Sequence, residues 1–328
     1  MVMTSPRSAL TRRGLLGAAA LVPLAACSTD EDPVRYPRGT HVGPTESPAR
    51  SQSQSPSPAP GARRHRRRFA DLEREFDARL GVYALDTATG TTLAHRADER
   101  FAFCSAFKAL AAAAVLDGNP LSHLDKRVRY SRADLMKHAP VTARHVDTGM
   151  TIRQLCDAAI RYSDGTAGNL LLRDLGGPDR LTAYARGLGD KVTRMDRVEP
   201  AITQATPGDP RDTSSPRAFG GTYQKIVIGD ALPGRKRAFL LDLLKRNATG
   251  AERIKAGLPR GWTIADKTGT GDHGTLNDIA VLWPPRSAPP VLLAIMTSKA
   301  AKDAPYDQAL LAEAAEYVTS VLPGKAPR

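Results

Sequence analysis

Ser105-Ala106-Phe107-Lys108 sets a hydroxyl and an amine three residues apart, so on a helix the two side chains share one face and the amine reaches the hydroxyl. A serine so placed can act as a nucleophile with the lysine as its base. A lone Ser-x-x-Lys arises by chance about once in a chain of this length, so the pair gains meaning only from its company. Ser163-Asp164-Gly165 follows 58 residues later, and Lys267-Thr268-Gly269 a further 104 residues on. Between them Arg194-Met195-Asp196-Arg197-Val198-Glu199-Pro200 runs on to Pro207-Gly208-Asp209-Pro210-Arg211-Asp212-Thr213, a charged, proline-stiffened stretch that contains a single glutamate. A carboxylate held beside an ester can activate a water molecule. The chemistry within reach of the serine and the lysine is nucleophilic attack.

These residues need elements to hold them. The Ala-rich stretch 106 to 116 predicts a helix carrying Lys108 just beyond Ser105. Gly81 to Asp86, followed by the turn Thr87-Ala88-Thr89-Gly90, predicts the start of a hairpin, preceded by an amphipathic segment, 69 to 79, with Phe69, Leu72, Phe76 and Leu80 at helical spacing. Thr263 to Gly271, Leu276 to Trp283 and Val291 to Thr297 read as three strands, the first bearing Lys267; a closing helix sets Leu310, Leu311, Ala314, Val318 and Val321 on one face. Segments 151 to 161, 166 to 175 and 235 to 245 read as helices. The expected class is α/β (α+β): a five-stranded antiparallel sheet built from both termini (69–98 and 250–328) and flanked by helices, plus an all-helical domain (99–249).

In order and separation the motifs resemble those of the class A β-lactamases, over about residues 69 to 322, with Ser-Asp-Gly where that family usually has Ser-Asp-Asn. The stretch 194–212 looks like the family's Ω-loop. The resemblance implies that Ser105 attacks the lactam carbonyl, that Lys108, or Glu199 through a water, takes its proton, that Ser163 relays a proton to the leaving nitrogen, and that Glu199 activates the deacylating water. It further implies an oxyanion hole from the backbone N–H groups of Ser105 and Thr270, an Arg197 to Asp212 clamp across the loop, and a cis Glu199-Pro200 bond. Lys267, Thr268, Gly269 and Thr270 match the family positions that hold the substrate carboxylate; Arg253 stands where some members supply an arginine, and Leu276 near where others do. Two positions depart from the pattern. Gly165 replaces an asparagine that bonds the substrate's acylamide, which suggests that Gly165→Asn would raise activity. Thr203 replaces an asparagine that helps hold the deacylating water, and its hydroxyl can still donate and accept. No metal or organic cofactor is implied, and the partner is a small β-lactam, with no nucleic acid and a monomeric chain.

Of 328 residues 41% are apolar and 25% charged, enough for a sizeable core. Three cysteines form neither a disulfide framework nor a zinc spacing, and Cys104 and Cys156 read as small buried hydrophobes. Of the net charge of +13, residues 1–68 hold +7, from 11 Arg and 4 acids. That arm carries its own address. Arg12-Arg13 before the apolar run Gly14 to Ala26 resembles a twin-arginine signal peptide (1–27), and Leu24-Ala25-Ala26-Cys27 a lipoprotein box with Cys27 as the lipidated residue. Residues 28–68, rich in Ser, Pro and Arg, read as a disordered tether whose basic run Arg63 to Arg68 is a solvated stretch. The expected location is outside the cytoplasmic membrane, lipid-anchored or released. The alternatives are a penicillin-binding or DD-peptidase-like protein or sensor that acylates without turnover, against which Glu199 argues, and a non-catalytic wall-interaction lipoprotein, which would bind lactams only stoichiometrically.

Overall fold

The computed structural model describes residues 60–322, with side chains from Arg63 onward. Residues 1–59, which hold the stretches expected to be a signal peptide with Cys27 and most of a tether, lie outside the described residues. Residues from Ser57 onward form one compact unit.

The first helix, α1 (Pro60–Glu75), begins inside the stretch expected to be a tether. Its start is ordered because the chain meets the last helix: Arg68 pairs with Glu313 and His65 bonds the Tyr317 hydroxyl at 2.7 Å, while Phe69 and Leu72 are fully buried. Next come β1 (Arg79–Asp86) and β2 (Thr92–His95), the hairpin, then β3 (Phe101–Ala102) and α2 (Phe107–Asp117). The middle of the chain holds β4 (Arg127–Val128), β5 (Met150–Thr151), α3 (Ile152–Arg161), α4 (Gly165–Leu175), α5 (Pro178–Gly187), β6 (Thr213–Ser214), α6 (Pro216–Val227) and α7 (Gly234–Lys245). Strands β7 (Thr263–Gly271), β8 (Thr275–Trp283) and β9 (Val291–Ser298) and helix α8 (Ala309–Val321) close the fold.

The sheet runs β2-β1-β9-β8-β7, every pair antiparallel, so both chain ends build it as the sequence predicts. One face packs α1 and α8 through Leu80, Val82, Leu293, Ile295, Leu311 and Val318. The other shares a core with the central helices through Ala265, Ile279, Val281, Leu292, Ala294 and Met296. The helical region is not purely helical. Two-residue pairs, β3 with β6 and β4 with β5, tie its loops together; strands that short show no periodicity to read. Helix α2 is buried from Phe107 to Leu116, which requires its apolar composition all round and encloses Lys108.

Candidate functional site

Ser105 lies in the tight turn Cys104–Ala106 that feeds α2, and Cys104 holds a left-handed φ of +47° to bring it there. The residue is 9% exposed. Lys108 Nζ donates to Ser105 Oγ at 2.9 Å, and Ser105 Oγ donates to Glu199 Oε1 at 2.9 Å. The lysine also lies 2.7 Å from Glu199 Oε1 and donates to the Ser163 carbonyl at 2.7 Å. Its stem covers Gly168, where a Cβ would sit 2.6 Å from Lys108 Cε; only glycine leaves α4 that close to α2. Burial without water lowers the lysine pKa, Glu199 opposing the shift. A hydroxyl between a desolvated amine and a carboxylate has two proton acceptors at hand.

Ser163 caps this group from the turn before α4, in left-handed backbone at φ +54°. Asp164 fixes that turn: its carboxylate accepts from Ala167 N–H, from Val141 and Thr142 N–H, and from the Thr142 hydroxyl. Lys267 Nζ donates to Ser163 Oγ at 3.1 Å and to the Thr268 carbonyl at 2.9 Å. Full burial, then the nearby Lys108 charge, bring the Lys267 pKa down to about 7.

Strand β7 is the sheet's edge and lies along the nucleophile turn. Gly269 makes this approach possible, since a Cβ there would stand 2.4 Å from the Phe103 carbonyl. Arg253, 6% exposed, donates to the Gly269 and Asn277 carbonyls at 2.9 Å and to Thr270 Oγ1 at 2.7 Å. Its guanidinium thus reaches the Lys267 to Thr270 segment, whereas Leu276, 1% exposed, belongs to the core.

The loop holding Glu199 is clamped as expected: Arg197 Nε donates to Asp212 Oδ2 at 2.5 Å, and Asp212 Oδ1 accepts from the Asp196 and Arg197 N–H groups. The Glu199-Pro200 bond is cis. Asn169, which the sequence reading passed over, accepts from Glu199 N–H at 3.0 Å and donates to its carbonyl at 2.9 Å. The available signal was its place four residues after Gly165, on the same face of α4. Thr203 differs from expectation. Its hydroxyl donates to the Pro200 carbonyl at 2.7 Å, so its one proton serves the loop and only lone pairs remain for a water. Gly165 lies against the glutamate: a Cβ there would be 2.3 Å from Glu199 Oε2. Cys104 and Cys156 are buried free thiols.

A family model described as a β-lactamase enzyme family matches residues 64–322. The β-lactamase of Mycobacterium tuberculosis H37Rv is 56% identical over 261 residues, spanning 78% of this chain and 85% of that protein. Among solved structures, the β-lactamase from Streptomyces albus G aligns with a TM-score of 0.77 at 47% identity, over 79% of this chain and 99% of its own. The class A β-lactamase from Clostridium kluyveri aligns at 0.77 and 43% identity, over 78% and 98%. Sheet order, loop and buried serine, lysine and glutamate agree with that match over most of its length, and the chain belongs to the class A β-lactamases, as a serine β-lactamase.

Proposed function

We propose that this enzyme opens the β-lactam amide of penicillins and cephalosporins through an acyl-enzyme on Ser105, and so confers resistance to them. The observation that carries the reading is the Ser105 hydroxyl held at 2.9 Å from both Lys108 Nζ and Glu199 Oε1. Ser105 Oγ forms the ester bond to the lactam carbonyl carbon while its proton passes to Lys108 or Glu199. The N–H groups of Ser105 and Thr270 take the developing oxyanion, an interaction worth about 3 kcal/mol per donor. The C–N bond then breaks, and Ser163 delivers a proton to the nitrogen. Water, deprotonated by Glu199, attacks the ester and frees Ser105. Lys267, Thr268 and Thr270, with Arg253 behind them, receive the substrate carboxylate. The sequence of the arm adds export and, through Cys27, a lipid anchor to this reading, with the enzyme acting as a monomer.

The test follows turnover of one penicillin and one cephalosporin while recording intact mass. Many turnovers with a transient adduct mapping to Ser105 are expected. A lasting adduct without turnover would place the chain with proteins that only acylate.

For Gly165→Asn a loss is expected rather than the gain that residue type suggests. A Cβ at position 165 meets the Glu199 carboxylate, which must then shift from the position in which it pairs with Lys108. A fall in kcat of about tenfold is expected, equivalent to ~1.4 kcal/mol of barrier. Unchanged or raised kcat on both substrate classes would show that the carboxylate can move aside without loss.

The Lys267 pKa of about 7 predicts a second outcome. A lysine whose pKa is depressed is charged below that value and neutral above it. The ammonium attracts the substrate carboxylate, so kcat/KM in the free enzyme falls as pH rises through about 7 to 8. Lys267→Arg keeps its charge at every accessible pH, and its kcat/KM should lose this alkaline limb. A limb that persists in the arginine variant would assign it to another group.

A further inference from the structure

We propose that the outward face of α1 is a docking surface for an anionic lipid membrane. At 100° per residue, Phe69 and Leu72 mark the side of α1 turned to the protein, and Arg63, Arg64, Arg67 and Arg74 fall on the opposite side, with Arg66 at its flank. The first eleven residues, Pro60 to Ala70, contain five arginines and no acid. Arg64, Arg66 and Arg67 are exposed, and among the described residues none of them forms an ion pair with a carboxylate.

What sets the patch apart is its density: Arg64, Arg66 and Arg67 stand within one turn of one helix, whereas several exposed arginines elsewhere meet acids, Arg74 with Asp71, Arg211 with Asp209, Arg217 with Asp98 and Arg246 with Asp242. The patch also opposes the helix's own field. Unsatisfied N–H groups at a helix start carry partial positive charge, so cations there are unfavourable and acids favourable, yet α1 has no acid in its first turn. An external layer of anions relieves both costs. The helix does not need these arginines for its own docking, which Phe69, Leu72, His65 and the Arg68 to Glu313 pair supply on the other side.

A membrane is the partner the chain order favours. The patch lies where α1 begins, with 32 residues between Cys27 and Pro60, and a flexible chain of that length would span about 30 Å. The location rests on the export and anchoring reading above, whereas the recognition chemistry does not. Short, planar and cationic, the face matches a layer of phosphodiester headgroups, and the dock would hold the enzyme in one orientation above the anchor.

Residues 57–328 form a compact unit and hold the whole of the family match, residues 64–322, so the test uses this unanchored piece. Its co-sedimentation is measured with vesicles of phosphatidylcholine, with and without phosphatidylglycerol. Binding only to the phosphatidylglycerol vesicles, weakened by salt, is expected. The triple variant Arg64→Gln, Arg66→Gln, Arg67→Gln should lose about 100-fold in partitioning, some fivefold per arginine, and keep its full rate of lactam hydrolysis. Equal partitioning of the variant, equal binding to neutral vesicles, or capture by a soluble poly(glycerol phosphate) in preference to vesicles would overturn the proposal. Whether Cys27 is lipidated is read separately, by labelling the full chain with a fatty acid, so loss of the anchor and loss of the docking face give different results.

Discussion

Glu199→Gln is expected to leave the enzyme acylated. Glutamine keeps the size of glutamate, and the loop that presents it is held through its backbone: Asn169 bonds the residue 199 N–H and carbonyl, and Arg197 with Asp212 closes the loop behind it. The amide oxygen can still accept from Ser105. What the amide cannot do is take a proton from water, and a positioned general base contributes about 10² to 10⁴ in rate. Steady-state turnover should fall about 10³-fold, some 4 kcal/mol of barrier. Mixing with a penicillin should then give one burst of product per enzyme and a stable adduct on Ser105 by intact mass. The burst rate carries its own information. Ser105 donates to Glu199 directly, so an unchanged burst would show that Lys108 suffices as the acylating base, and a burst slowed with the plateau would show that the glutamate serves both steps. Wild-type turnover in this variant would remove Glu199 from the mechanism.

Long elements were legible because each repeats its pattern over many residues. The three C-terminal strands are apolar runs punctuated by Pro284-Pro285 and Pro289-Pro290, and α2 is an alanine block that can only be a buried helix. Ser105, Lys108, Ser163, Glu199 and Lys267 were legible as types at fixed separations, and the fold brings them into one hydrogen-bonded group. What stayed hidden depends on pairing across the fold. Asn169 matters because α4 passes Glu199 thirty residues later, and Asp164 because a loop twenty-two residues earlier brings Thr142 to it; neither contact leaves a local pattern. Thr203 and Gly165 were read from residue type alone, but the local carbonyl of Pro200 claims the threonine proton and the Glu199 carboxylate fills the glycine's free space. The start of α1 was misread for a similar reason. Composition argues for a solvated chain, and the partners that order it, Glu313 and Tyr317, lie some 250 residues away.

Lys108→Met is expected to fail one step earlier than Glu199→Gln. Methionine fills the channel beside Gly168 with an unbranched apolar chain, so the packing between α2 and α4 survives while the charge does not. Lys108 touches Ser105 Oγ, Glu199 Oε1 and the Ser163 carbonyl, and its loss removes a base and an anchor together. Glu199 also loses the cation that lies 2.7 Å from its carboxylate in the unaltered enzyme. Acylation should fall about 10³-fold, with no adduct accumulating under conditions where Glu199→Gln is fully acylated. A slow but complete burst of adduct on Ser105 would show that the glutamate can acylate alone. No adduct at all would assign the acylation proton to Lys108. Acylation at the wild-type rate near neutral pH would sink the assignment of any base role to this lysine and leave that role to Glu199, which also bonds Ser105 Oγ.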